Sequence, residues 1–135
     1  MTSRLQDLAT LKLNDNMERA LENLYIWRES RTVVNNIYKM LGECKDWGFR
    51  DQIQRAAVSI MNNIAEGFDS GSDAKFINYL NISKGSCSEV RSMLYLCEDF
   101  GYCSAEERQE IQNAVKRITT GIVKLSGTIQ NEENK

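Results

Sequence analysis

The chain has neither proline nor histidine among its 135 residues. Proline costs roughly 3 kcal/mol inside a helix, so its absence favours long uninterrupted helices. Without histidine there is no Ser-His or Cys-His pair and no imidazole base at neutral pH. The Glu-x-x-His motifs of di-iron bundles are likewise excluded. The four cysteines, Cys44, Cys87, Cys97 and Cys103, form no C-x-x-C pair, which argues against zinc. The stretch "GFDSGSD" lacks the GKS/T ending of a phosphate loop. No apolar run approaches the roughly 20 residues that span a bilayer, and no signal-peptide core opens the chain. No membrane partner is therefore expected, and a reducing cytoplasm is the expected location. An excess of positive charge is missing too: 17 Lys and Arg face 19 Asp and Glu, for a net charge of −2 and a pI near 5.3. That balance counts against bulk coating of nucleic acid, though not against a local basic face. These absences imply no catalytic residue, metal or cofactor, and point to a non-enzymatic protein.

What is present is periodicity. Ile111, Val115, Ile118, Ile122, Leu125 and Ile129 step by fours and threes, as do Phe76, Leu80, Ser83, Cys87, Val90, Leu94 and Cys97. Ile53, Ala57, Ile60 and Ile64 repeat the pattern. Near the start, Met17, Ala20, Leu24, Trp27, Arg31, Val34, Tyr38 and Leu41 give a fourth stripe, with Arg31 as its polar exception. Such spacing lines one face of a helix. Cys87 and Cys97 are thus expected as buried thiols, whereas Cys44 and Cys103 fall near helix ends and are expected to be exposed. Helices are expected near 14–41, 50–66, 73–100 and 104–130, after an N-terminal extension over 1–13 and before a frayed tail at 131–135. Short connections favour antiparallel neighbours, so the expected fold is all-α, an up-down-up-down four-helix bundle.

Glycines punctuate it. Gly67 is expected just past the second helix and Gly101 past the third, with Tyr102 folding back on Leu96 or Cys97. Ser104 and Glu107 have the spacing of a capping box. Glu66, in the last turn of its expected helix, faces the negative end of the helix dipole. A cation on another helix, Lys84, is the expected partner, with Asn63 capping or bridging the same junction. Gly85 lies inside the third helix, where glycine costs about 1 kcal/mol against alanine. Close approach of a neighbouring helix is the expected reason. Ile82, Tyr79 and Tyr95 fall off the main stripe, and Ile77, Met93 and Tyr95 suggest a second apolar patch covered by another subunit. Candidate nucleic-acid contacts are Arg28, Arg55, Lys84, Lys116, Arg117 and Lys124; for the cations of the first and last helices, positive charge complementing the C-terminal end of the helix dipole is the simpler reading.

Residues 51–104, "DQIQRAAVSIMNNIAEGFDSGSDAKFINYLNISKGSCSEVRSMLYLCEDFGYCS", resemble the central block of the 23S rRNA intervening-sequence proteins. Asn63, Ile64, Ala65, Glu66 and Gly67 match the NIAEG motif, and Lys84, Gly85 and Ser86 match KGS. Gly101 and Tyr102 match the turn after the third helix, and Trp27 matches a Trp in the first. The resemblance implies a four-helix bundle assembling as a ring-like homo-oligomer, a homopentamer. The family is similar to the accessory variability protein of diversity-generating retroelements, a basic pentameric barrel that binds nucleic acid and reverse transcriptase. The resemblance thus implies an adaptor for RNA, DNA or a nucleoprotein. Met61 stands where the family usually has Pro, and the turn Phe68-Asp69-Ser70-Gly71-Ser72-Asp73 is acidic where the family's is basic. The alternative is a purely protein-binding scaffold.

Overall fold

Four helices form along the apolar stripes in this computed structural model, which describes residues 20–133. They are α1 (Tyr25–Met40), α2 (Trp47–Phe68), α3 (Asp73–Asp99) and α4 (Ala105–Glu133), preceded by a 3₁₀ turn at Leu21–Asn23. No strand occurs among the described residues. The expected extension over 1–13, the stretch 14–19 and the last two residues of the tail lie outside them. Each helix packs on its neighbours in chain order, and α1 closes on α4.

The stripes of α2, α3 and α4 are buried as the spacing requires, from Ile53 to Ile64, Phe76 to Cys97 and Ile111 to Ile129. The first helix differs. Its core face is Ile26, Ser30, Val33 and Ile37, one position back from the expected Trp27, Arg31, Val34 and Tyr38, while Leu24 and Leu41 at the two ends of the expected stripe are buried. Arg31 and Tyr38 are exposed, while Trp27 and Val34 are half-buried. Ser30 hid the true stripe in the sequence: its hydroxyl donates to Ile26 O at 2.6 Å, so a polar side chain is satisfied within its own helix. The expected start at 14 is also corrected. Leu24 is extended, at φ −76° and ψ 121°, so α1 begins only at Tyr25.

Two helix junctions follow their residues closely. Past α3, Gly101 takes φ +76°, Tyr102 N–H donates to Cys97 O at 2.7 Å, and Gly101 N–H donates to Glu98 O at 3.0 Å. This is the Schellman pattern. Tyr102 then packs on Phe49 and Phe100 and donates its hydroxyl to Asp46 Oδ2 at 2.7 Å. Before α4, Ser104 N–H donates to Glu107 Oε1 and Glu107 N–H to Ser104 Oγ, closing the capping box.

Numbers fall along α3 as they rise along α2. Gln52 meets Glu89, Ser59 meets Ser86 and Ser83 donates to Ile60 O at 2.8 Å. Gly67 faces Phe76 and Tyr79. It is not past the end of α2 but inside it, where a Cβ would lie 2.8 Å from Tyr79 Cβ and 2.9 Å from Phe76 Cδ1. Close helix contact, not a left-handed turn, explains Gly67. The reverse holds at Gly85: it is exposed, and an added Cβ would meet nothing within 4 Å.

Candidate nucleic-acid interface

The middle of α4 turns Lys116, Arg117 and Lys124 toward one hollow of about 720 Å³, walled on its other side by Leu24, Tyr25 and Ile26. Spacing of four residues places Lys116, Thr120 and Lys124 along one side of the helix. Gly121 explains how α1 comes so near, because a Cβ there would fall 2.5 Å from Ile26 Cγ2. Asn113 and Thr120 add polar side chains to the same wall. Arg117 is already engaged: Nη2 donates to Glu29 Oε1 at 2.8 Å and Nε at 3.0 Å. The bond to Glu29 raises the guanidinium's pKa. Lys116 and Lys124 form no ion pair among the described residues, so theirs are the uncommitted charges.

The other candidate cations do not join them in this hollow. Arg28 is exposed on α1 and donates to Glu22 O at 3.2 Å. Arg55 pairs with Asp51 at 2.9 Å on α2. Lys84 is exposed on α3 with no ion pair among the described residues. Glu66 is exposed too, and its side chain has no hydrogen bond or ion pair among the described residues. The expected Glu66–Lys84 pair is therefore corrected. The carboxylate sits two residues before the end of α2 and borders two shallow hollows, where water can solvate it.

Asn63 neither caps nor bridges to Glu66. Its amide donates back to Ser59 O at 2.8 Å and to Ser59 Oγ at 3.0 Å, and Ser59 Oγ lies 2.8 Å from Ser86 Oγ. Asn63, Ser59 and Ser86 thus make a polar seam between α2 and α3. Trp27 packs against the core with the Arg31 guanidinium 5.9 Å from its ring.

Cys87 and Cys97 are buried, and burial pushes their thiols up to about 11 and about 12. Cys44 and Cys103 are half-buried rather than exposed. Of the second apolar patch, Met93 belongs to the core and Ile77 packs on it, while Ile82 and Tyr95 stay outside. Sequence reasoning also missed the exposed Trp47 at the start of α2, which no periodic stripe includes.

A family model described as 23S rRNA-intervening sequence protein matches residues 22–124. The chain belongs to that family. The intervening-sequence protein described here is also similar to a crystal structure of a protein of unknown function from the S23 ribosomal protein family of Bacteroides thetaiotaomicron. The two share 30% identity over 75% of this chain and 97% of that one, with a TM-score of 0.70. No curated protein matches. The matched region contains the Gly67 contact, the Ser59–Ser86 seam and the Gly101 turn. Of the motif residues, Gly67, Ser86 and Gly101 have packing or turn-forming roles, whereas Glu66, Lys84 and Gly85 are exposed. No helix among the described residues is long and apolar enough to cross a membrane.

Proposed function

We propose that this intervening-sequence protein is a non-enzymatic oligomeric adaptor that holds RNA or DNA, or a nucleoprotein partner, against the cationic hollow between α1 and α4. The observation that carries this reading is the convergence of Lys116, Arg117 and Lys124 on one hollow with two hydrogen-bonding side chains between them. Lysine and arginine beside neutral polar groups suit phosphate oxygens, with the polar groups setting register. The falling and rising contact order of successive helices supports an up-down-up-down topology. Exposed Ile82 on α3, together with the open side of Gly85 one turn further on, supports a ring in which a second copy covers that face. A homopentamer is the assembly the family resemblance implies, and the four free cysteines favour a reducing cytoplasm as its location.

The second reading is a protein-binding scaffold. It is favoured by the net charge of −2 and by Tyr25 and Val123, both about half exposed, on the helices that flank the hollow. Anisotropy of a labelled RNA hairpin at two salt concentrations separates the readings, because phosphate contacts weaken steeply with salt and apolar contacts do not.

A further inference from the structure

The first two turns of α2 carry a second hollow, of about 480 Å³, at the positions Trp47, Gly48, Arg50, Asp51 and Gln54. Helical spacing places these residues on one side of the helix. The Trp47 ring is 64% exposed, and the Arg50 guanidinium lies 5.3 Å from its centre. Arg50 is itself fixed, donating to Cys44 O at 3.2 Å and Gly42 O at 3.5 Å. It therefore braces the ring from one side and leaves ring surface open to solvent. Gly48 has no side chain to crowd the hollow, and an added Cβ there would meet nothing within 4 Å.

Gln54 supplies the deciding observation. It is 8% exposed, lines this hollow, and its Nε2 is buried with no hydrogen-bond partner among the described residues. A buried amide donor without an acceptor costs free energy, and native structures hold few of them. A turn of the Gln54 side chain toward the hollow would offer this donor to an acceptor entering there. Beside it, Asp51 gives Oδ2 to Arg55 at 2.9 Å and keeps Oδ1 as an acceptor. The carboxylate disfavours a phosphate at this spot and favours an amino group. An aromatic platform, a donor and an acceptor within two helical turns match the face and edge of a nucleobase.

We propose that this hollow takes one unpaired base of single-stranded RNA or DNA that carries a ring acceptor beside an exocyclic amino group. The base stacks on Trp47, accepts from Gln54 Nε2 and donates to Asp51 Oδ1. Cytosine has that edge, whereas uracil has no amino group to offer. The inference rests on the nucleic-acid reading above, but it concerns a different face and a different part of the nucleotide.

The test titrates the full chain with twelve-residue oligocytidylate and oligouridylate, following tryptophan fluorescence and anisotropy, with an RNA hairpin as the reference for α4. Oligocytidylate should quench the fluorescence and bind several-fold more tightly than oligouridylate. Trp47→Ala, at an exposed position, should weaken oligocytidylate about tenfold and leave the hairpin unaffected. Gln54→Leu should abolish the preference for cytosine. Unchanged oligocytidylate binding by Trp47→Ala would overturn the inference while leaving the α4 reading intact. So would a change in sedimentation with unaltered binding, which would assign Trp47 to a subunit contact. Conversely, a Lys116→Glu/Lys124→Glu chain that still binds the hairpin at wild-type affinity would contradict the α4 reading alone.

Discussion

Arg117 on α4 donates through two nitrogens to one carboxylate oxygen of Glu29 on α1, at 2.8 and 3.0 Å. The pair joins two helices beside the hollow and withdraws one of its three positive charges. Glu29→Gln should release that charge and tighten RNA hairpin binding by about two- to fivefold at low salt. Stability should change little, because the arginine is more than half exposed and solvent screens the pair. Anisotropy and urea unfolding of the same variant read both effects.

Two glycines on the NIAEG and KGS motifs should respond to alanine in opposite ways. Gly67→Ala drives a methyl group into Tyr79 and Phe76 and should cost about 1–3 kcal/mol by overpacking. Gly85→Ala has open space around it and should stabilise an isolated chain by about 1 kcal/mol through helix propensity. Thermal unfolding gives the sign of each. A sedimentation change in Gly85→Ala would show that another copy approaches there.

The stripes of α2, α3 and α4 were legible because each runs through residues whose polarity reports their burial. Ser83 belonged to its stripe, and the structure explains it through the bond to Ile60 O. On α1 the same device misled, since Ser30 interrupts the true stripe while Trp27, Val34 and Tyr38 imitate one on an adjacent face. The Gly101 turn and the Ser104–Glu107 cap were readable because both are local in sequence. Lys116, Arg117 and Lys124 were three of six candidate contacts, but neither their convergence on one hollow nor the wall formed by α1 was legible in the sequence. Trp47, Arg50 and Gln54 escaped notice because a site near a helix start has no period longer than its two turns, and an unsatisfied amide is visible only in three dimensions.

Tyr102 should report alkaline pH. Its hydroxyl donates to Asp46, and this bond, lost on ionisation, is the main cause that pushes the phenol up to about 12. A raised folded pKa contributes stability that is complete below the unfolded value near 10 and lost as pH rises toward 12. Ultraviolet titration should therefore show one late tyrosine, absent in Tyr102→Phe, and that variant should lose less stability between pH 10 and 12.

Thiol labelling should divide the cysteines. At neutral pH in the folded protein, Cys44 and Cys103 should alkylate first, because both are half-buried. Cys87 and Cys97 are buried and strongly held as thiols, so they should react only after unfolding. Mass spectrometry of labelled peptides before and after urea distinguishes the pairs.

The central claim is that Lys116 and Lys124 touch phosphate. The most direct test compares RNA hairpin and duplex DNA binding by the wild-type chain and by Lys116→Glu/Lys124→Glu, across a salt series. The wild-type affinity should fall with salt, and the double reversal should weaken binding by tenfold or more while reducing the salt slope by about two. Wild-type binding that is absent at low salt, or that survives the reversal unchanged, would contradict the account.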